Sequence, residues 1–200
     1  MHKNFVQIGT RITPRDDCCE ISDGICHGLA GRSDWADAWG SRQSYTNHIA
    51  CCFPAFSPGN KVRLYAIENG VLSSRALTHV VGGQATTAPV TADSLWIVKA
   101  GLADSNQITL APFDYPTKAL RHQSAKNYVH DIDTSSSLYR GDATYKVVPG
   151  LWGADDGYFS LQSNNYPTHY IRHASYMVKM STISSTLDKQ DASWSVEIVP

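Results

Sequence analysis

The sequence predicts an all-β protein built from three copies of one unit. Residues 109–122 read TLAPFDYPTKALRH, and residues 160–173 read SLQSNNYPTHYIRH, a related phrase 51 positions later. Short runs of alternating apolar and polar residues, such as LWIVKA and WSVEIV, recur in this part of the chain and are broken by Gly, Pro, Asn or Ser. This pattern is typical of strands, whereas almost no stretch shows helical spacing over about eleven residues.

The repeated unit has a constant order of features. Each copy begins with an alternating strand, reaches a histidine, crosses a polar loop and closes with Asp-x-x-aromatic. The first copy is the most divergent and starts at VRLYAIENGV. We expect each histidine to end a strand, each aspartate to open the next one, and folding to bring the two together. The histidines are His79, His122 and His173, and the aspartates, at a constant spacing of 49 residues, are Asp93, Asp142 and Asp191.

Three such units can close on one another. A unit of about 45 residues is too small to bury its own apolar face, and three units around a pseudo-threefold axis leave no sheet edge open. We therefore predict a β-trefoil over residues 60–200, with repeats at about 60–103, 104–153 and 157–200. A three-bladed propeller is the less usual alternative.

Residues 1–59 do not match the repeat and are predicted to form a small cysteine-rich appendage. Trp35 and Trp39 are four residues apart, which predicts one short helix with inward-facing aromatic rings. Residues 53–59, FPAFSPG, predict a linker because they contain two prolines and a glycine. All five cysteines lie in this segment: Cys18, Cys19, Cys26, Cys51 and Cys52.

The cysteines predict disulfide bonds if the protein is exported. Their odd number leaves one thiol free or paired with another chain. Because His27 and His48 stand close to cysteines, a zinc site is the alternative, but adjacent cysteine pairs are not the usual Cys-x-x-Cys arrangement of zinc ligands. We favour disulfides and expect neither a metal nor a cofactor.

The composition argues against several classes of partner. Seventeen basic and eighteen acidic residues give a net charge of −1, whereas nucleic-acid binding needs a concentrated basic face. No segment approaches the length of about 18 apolar residues that a membrane span needs. The first ten residues lack the apolar stretch of a signal peptide. We expect a secreted protein whose leader has been removed.

A histidine and an aspartate rimmed by aromatic side chains suit a sugar. The carboxylate accepts hydrogen bonds from hydroxyls, the imidazole donates or accepts them, and an aromatic face covers apolar C–H groups. The alternative is that each aspartate holds a turn and bonds its histidine locally. Recurrence of the pair in three divergent units favours a binding site, because a turn does not require a histidine.

Residues 60–200 resemble a known family. The phrases YPTHYIRH, DATYKVVPGL and DASWSV are similar to those of the arabinofuranose-binding module at the C-terminus of fungal α-L-arabinofuranosidase B, carbohydrate-binding module family 42. The resemblance implies a β-trefoil that binds L-arabinofuranose side chains of arabinoxylan or arabinan. It also implies three sugar pockets, built around His79 with Asp93, His122 with Asp142, and His173 with Asp191.

Departures from the family pattern rank these pockets. The family usually has an aromatic residue three positions before the histidine. The third unit has Tyr170 there, whereas the second and first units have Ala119 and Ala76. The first unit also has Thr78 in place of the arginine before the histidine. We expect the third pocket, with Tyr170 as a sugar-binding residue, to bind best and the first to bind worst.

Four further residues are expected to support the pockets. Arg121 and Arg172, each directly before a repeated histidine, are expected to be structural supports rather than ligands. Tyr115 and Tyr166, in the repeated Tyr-Pro-Thr, are expected to be turn and core residues.

The sequence shows no sign of catalysis. A glycosidase needs two carboxylates about 5 to 9.5 Å apart around the scissile bond, and the repeat supplies one per pocket. We therefore expect a non-catalytic carbohydrate-binding protein or lectin. One alternative is a protein-interaction, inhibitor or toxin-like module that uses the trefoil as a scaffold. The other is a hydrolase whose site lies in residues 1–59.

Overall fold

A computed structural model describes residues 53–200 and the backbone of two short antiparallel strands near the N-terminus, β1 (Glu20–Ser22) and β2 (Ile25–His27). The rest of residues 1–52 lies outside the described residues, and with it the helix predicted around Trp35 and Trp39. The disulfide and zinc alternatives lie there too, since they involve Cys18, Cys19, Cys51, Cys52 and the side chain of Cys26.

Residues 53–200 form twelve strands, two short α-helices and three 3-10 turns. The first unit contains β3 (Lys61–Glu68), β4 (Val71–Thr78), β5 (Thr86–Pro89) and β6 (Trp96–Ala100). The second contains β7 (Ile108–Pro112), β8 (Lys118–Gln123), β9 (Lys126–Asp131), α1 (Ser137–Asp142) and β10 (Tyr145–Pro149). The third contains β11 (Phe159–Ser163), β12 (His169–Ala174), β13 (Met177–Thr182), α2 (Thr186–Asp191) and β14 (Trp194–Val199). The 3-10 turns are Pro54–Phe56, Ala92–Ser94 and Ala154–Asp156.

The outer strands of the three units close into a ring. Antiparallel pairing runs β3–β6–β7–β10–β11–β14 and returns from β14 to β3. The inner strands form the hairpins β4–β5, β8–β9 and β12–β13, and β13 also pairs with β5 and β9. The predicted all-β class is confirmed. Because the six outer strands close on one another, the barrel has no open edge.

Tight turns set the register of the hairpins. Asn69 and Gly70 join β3 to β4 with φ of 52° and 77°, the left-handed geometry of a two-residue hairpin turn. The turn between β8 and β9 is Ser124–Ala125, and the turn between β12 and β13 is Ser175–Tyr176. All four of these residues also have positive φ. Asn-Gly is the residue pair that this turn prefers, whereas the other two turns carry no such signal in the sequence.

Three buried aromatic residues occupy equivalent positions in the core. Trp96, Tyr145 and Trp194 are the aromatic residues of the three Asp-x-x-aromatic motifs, and each is 0% exposed. Each one also donates a hydrogen bond to the backbone carbonyl two residues before its histidine. The bonds are Trp96 Nε1 to Leu77 O, 2.9 Å; Tyr145 Oη to Leu120 O, 3.4 Å; and Trp194 Nε1 to Ile171 O, 3.3 Å. In each unit the bond therefore ties the strand that carries the aromatic residue, which is β6, β10 or β14, to the backbone just before the histidine.

The predicted linker is wrong for its first part. Phe53, Ala55 and Phe56 are buried in the barrel core, and the Phe56 ring packs edge-on against Phe159 at 4.6 Å between centroids. Asn60 Nδ2 donates to Ala55 O at 3.2 Å, which fixes this segment to the start of the barrel. Phe53 and Phe56, on either side of Pro54, give enough apolar surface to pack, which the linker interpretation overlooked.

The prediction that each aspartate opens a strand is wrong. Asp93 lies within the 3-10 turn Ala92–Ser94, and β6 begins three residues after it. Asp142 and Asp191 are the last residues of α1 and α2, and the following strands begin three residues later. Ser136 and Ser185 cap these helices by accepting from the backbone N–H three residues on, at 3.1 and 3.0 Å. Six residues are too few to show helical periodicity. Within residues 53–200, no helix is long and apolar enough to cross a membrane.

Tyr145→Phe tests the tie between the aromatic residue and the histidine strand. The change removes the hydroxyl that bonds Leu120 O and accepts from Asn127 Nδ2 at 3.3 Å, all within the core. We expect a loss of about 1 to 3 kcal/mol in the free energy of unfolding, because the buried Asn127 amide is left without that partner. Urea unfolding measures this loss.

Tyr176→Phe is the matched control. Tyr176 is 56% exposed. We expect the free energy of unfolding of this variant to differ from that of the wild type by no more than about 0.5 kcal/mol. Equal small losses in the two variants would show that the Tyr145 hydroxyl contributes nothing to the tie.

Candidate functional site

The structure brings each repeated histidine to the aspartate of its own unit. We name the three sites by these pairs: pocket 1 is His79 with Asp93, pocket 2 is His122 with Asp142, and pocket 3 is His173 with Asp191. The distances from histidine Nε2 to aspartate Oδ1 are 3.8, 3.6 and 3.7 Å in this order. All three histidines are buried, and the aspartates of pockets 2 and 3 are buried as well.

Pocket 2 contains a complete hydrogen-bond network. Asn165 Nδ2 donates to Asp142 Oδ1 at 2.7 Å, which turns Asn165 Oδ1 toward His122 Nε2 at 3.0 Å. Ser163 Oγ lies 2.9 Å from Asn165 Oδ1 and 3.1 Å from His122 Nε2. Arg121 donates to the second oxygen of Asp142 at 2.7 Å. Because Asn165 Oδ1 only accepts, the His122 Nε2 carries a proton and donates it.

Pocket 3 uses a backbone carbonyl instead of the asparagine. His173 Nε2 donates to Ile67 O at 3.0 Å, which fixes the proton on Nε2 because a carbonyl only accepts. Arg172 Nη1 lies 3.2 Å from Asp191 Oδ2 and 2.8 Å from Asp188 Oδ1. Hydrogen bonds from Ser184, at the start of α2, lower the pKa of Asp188 to about 2. The arginine is thus held between two carboxylates.

Pocket 1 has no arginine. Thr78 takes that position, and its hydroxyl is 2.9 Å from Ser94 Oγ. A second carboxylate, that of Asp114, approaches His79 instead, with Oδ2 3.9 Å from Nε2. Asp93 and Asp114 are both partly exposed to solvent, with side-chain exposures of 56% and 36%.

Arg121 and Arg172 make the contacts expected of structural supports. Each guanidinium binds the aspartate of its own unit, and the Arg121 guanidinium also lies over the Tyr139 ring at 5.0 Å. Neutralising the buried carboxylates is the physical reason for an arginine at this position.

A third group in each pocket comes from the next unit along the barrel, and the sequence reasoning missed it. Asp114 follows β7 and completes pocket 1, while Asn165 follows β11 and completes pocket 2. The Ile67 carbonyl, on β3, completes pocket 3 across the closure of the ring. Asp114 and Asn165 share one signal in the sequence, since each directly precedes the repeated Tyr-Pro-Thr.

The aromatic rims differ from the expected ones. Tyr115 and Tyr166 do form turns, and the Tyr115 and Tyr166 carbonyls accept from the backbone N–H groups of Lys118 and His169. The prediction that they are core residues is wrong, because they are 41% and 50% exposed. Tyr115 packs edge-on against His79 at 5.7 Å between ring centroids, and Tyr166 packs against His122 at 5.5 Å.

Tyr170, the expected aromatic residue of pocket 3, lies on β12 three positions before His173. Alternation along a strand directs residues three apart to opposite sides. The Tyr170 hydroxyl is bonded to Gln162 Nε2 at 3.2 Å, on the neighbouring strand β11. A contact between Tyr170 and sugar stays a prediction.

Burial perturbs the titration of two pocket residues. Burial lowers the pKa of His122 below its ordinary value of 6.5, and the Asp142 carboxylate offsets this only in part. Burial also raises the pKa of Asp191 above its ordinary value of 3.8, although His173 and Arg172 act in the opposite direction. The lowered pKa keeps the His122 imidazole neutral near pH 7, so that it serves as a hydrogen-bonding group rather than a charge.

Comparison with known proteins shows the family of the chain. The sequence profile of the Alpha-L-arabinofuranosidase B (ABFB) domain matches residues 61–196, and the chain belongs to this family. The probable alpha-L-arabinofuranosidase B of Aspergillus clavatus is 27% identical over 129 residues, which are 61% of this chain and 24% of that protein. The chain therefore spans about a quarter of the length of this relative.

Solved structures share the fold. A GH54 α-L-arabinofuranosidase soaked with a cyclic sulfate inhibitor superposes with a TM-score of 0.61 and 25% identity, over 72% of this chain and 32% of that one. A chain described as the BEL β-trefoil, in its apo form, superposes with a TM-score of 0.52 and 15% identity, over 72% of this chain and 95% of that one. The second likeness concerns the fold alone.

His122→Gln tests the titration of pocket 2. Because the pKa of His122 is lower in the folded protein than in the unfolded chain, the unfolded chain binds a proton at this histidine at a higher pH. The wild type should therefore lose stability as the pH drops below about 6.5. Gln keeps a hydrogen-bond donor but does not titrate, so the variant should lose less stability between pH 7 and pH 5.

Thermal unfolding of both proteins at several pH values measures this effect. The difference between the two curves is the quantity of interest, because all other titrating groups are shared. Curves that stay parallel down to pH 5 would contradict the lowered pKa.

Proposed function

We propose that residues 60–200 form a β-trefoil carbohydrate-binding module that recognises L-arabinofuranose side chains of plant polysaccharides, or a terminal sugar of similar shape. We place the repeats at about 60–103, 104–153 and 157–200; within the predicted appendage of residues 1–59, Phe53, Ala55 and Phe56 belong to the barrel core. The observation that carries the proposal is pocket 2, where oriented polar groups lie beside the exposed ring of Tyr166.

The Asp142 carboxylate has unused capacity for sugar hydroxyls. One oxygen accepts from Asn165 and the other from Arg121. A carboxylate has about four acceptor positions, so that about two remain for a ligand. Tyr166, half exposed and edge-on to His122, offers an aromatic face for the C–H groups of a small ring.

Pocket 3 offers a similar arrangement with a different rim. Its histidine, aspartate and arginine are placed as in pocket 2. Trp152 is an aromatic residue, 37% exposed, near the C-terminal end of α2. Gly70 shows this proximity, because a Cβ there would lie 3.4 Å from the Trp152 ring and 3.0 Å from Nε2 of Gln190, the residue before Asp191. We propose Trp152 as a wall of pocket 3, alongside the predicted contact from Tyr170.

The chain would bind sugar without cleaving it. The relatives named as α-L-arabinofuranosidases are about four times longer than the matched part, and what they share with this chain is the ABFB domain. Their names support arabinofuranose as the sugar, and an extracellular location is part of the proposal. In pocket 2 the second functional group facing Asp142 is an amide, that of Asn165, not the second carboxylate that glycoside hydrolysis needs.

Calorimetric titration tests sugar binding. Arabinose-substituted xylan and L-arabinose should both bind the full chain, and unsubstituted xylan should give no heat. Asp142→Asn should weaken binding at pocket 2 by about 10- to 100-fold, because it removes charge-assisted hydrogen bonds worth about 1.5 to 3 kcal/mol. The double change His173→Ala, Asp191→Ala reports on pocket 3 in the same way.

Asp131→Asn is the matched control, since Asp131 is an exposed carboxylate at the end of β9 that pairs with Lys118 at 2.7 Å. Its binding should equal that of the wild type. Heat from neither ligand, or identical binding by all the variants, would overturn the proposal.

Catalysis is tested with 4-nitrophenyl α-L-arabinofuranoside. We expect no release of nitrophenol above the uncatalysed rate at any pH between 4 and 8, because pocket 2, which carries the proposed sugar site, has one carboxylate and an amide rather than a paired acid and nucleophile. Turnover by the full chain that Asp142→Asn or Asp114→Asn abolishes would contradict the non-catalytic function.

A further inference from the structure

Pocket 1 differs from its two counterparts in charge. In pockets 2 and 3 an arginine binds the aspartate, and the histidine Nε2 has a hydrogen-bond acceptor within 3.0 Å. Pocket 1 has Thr78 at the arginine position and two carboxylates, those of Asp93 and Asp114. Among residues 53–200, no Lys or Arg forms an ion pair with either of these carboxylates. Two negative charges therefore face one imidazole.

The His79 side chain lacks hydrogen bonds. Its side chain is 1% exposed, and neither ring nitrogen has a hydrogen-bond partner in the part of the chain that the structure describes. A buried ring nitrogen without a partner is costly, and native proteins usually satisfy it with protein, water or an ion. Nε2 points toward the two carboxylates, at 3.8 Å from Asp93 Oδ1 and 3.9 Å from Asp114 Oδ2.

These distances are too long for hydrogen bonds and close to those between ligands of one metal ion. A ring N–H to carboxylate bond is about 2.7 to 3.2 Å long. Atoms that bind one ion at about 2.0 to 2.2 Å are separated by about 3 to 4.4 Å, depending on the angle between them. The three atoms of His79, Asp93 and Asp114 all lie within 4.8 Å of one another. A shift of less than about 1 Å in the two partly exposed carboxylates would complete this geometry.

We propose that pocket 1 is a binding site for a first-row divalent metal ion, held by His79 Nε2, Asp93 and Asp114. One imidazole nitrogen and two carboxylate oxygens form a donor set that such ions accept. The two carboxylates neutralise the charge of the ion, and their exposure leaves room for water to complete the coordination. The ion takes the place of the positive charge that Arg121 and Arg172 supply in the other pockets. The proposal is independent of sugar binding at pockets 2 and 3.

Titration of the full chain with Mn²⁺, with free Mn²⁺ followed by electron paramagnetic resonance, tests this site. Mn²⁺ is the suitable probe because it favours oxygen ligands, whereas Zn²⁺ would also bind the cysteines of residues 1–52. The wild type should bind one more equivalent than Asp114→Asn, or bind it at least tenfold more tightly. Asp114→Asn keeps the shape of the side chain and recreates the amide that pocket 2 has at Asn165.

His79→Gln should lose the same equivalent of Mn²⁺, and Asp131→Asn should retain it. Circular dichroism establishes that each variant is folded. Absence of Mn²⁺ binding by the wild type up to millimolar concentrations, or equal binding by wild type and Asp114→Asn, would overturn the site. Because Asp114 does not contact pocket 2, sugar titrations of the same samples show separately whether the carbohydrate proposal holds.

Discussion

The pockets depend on one buried hydrogen bond in each unit. The aromatic residue of the Asp-x-x-aromatic motif is in the core, and its polar atom bonds the carbonyl two residues before the histidine, as Trp96 does with Leu77 O. The aspartate lies three residues before the aromatic residue, and the histidine two residues after the carbonyl. The bond therefore sets the separation of histidine and aspartate, which stays between 3.6 and 3.8 Å in all three pockets.

The same rings also form one wall of the histidine sites. Trp96 packs edge-on against His79 at 5.9 Å between centroids, and Trp194 against His173 at 5.8 Å. A buried tryptophan combines a large apolar surface with one donor that needs a partner. Its position is therefore determined at both ends, by core packing and by the hydrogen bond, and the histidine next to it has little freedom to move.

Variation between the pockets enters through the neighbouring unit. The ring closure places one group from the next unit against each histidine: a carboxylate from Asp114, an amide from Asn165, or the backbone carbonyl of Ile67. A constant pair with a variable third group allows one scaffold to hold sites of different charge. The arginine follows the same logic, because Arg121 and Arg172 are present where the aspartate is buried, and Thr78 stands where Asp93 is exposed.

The sequence by itself determined the all-β class, the three units and the pairing of each histidine with its aspartate, because the aspartates recur every 49 residues and a histidine precedes each of them by 14 to 20 residues. It did not reveal α1 and α2, which are too short to show helical periodicity. It also did not reveal that Phe53 and Phe56 lie in the core, because the sequence around them looks like a proline-rich linker. Only the tertiary structure decided which group of the next unit meets each histidine. His79 and Asp114 are 35 residues apart with no spacing that links them, and they meet because the barrel closes.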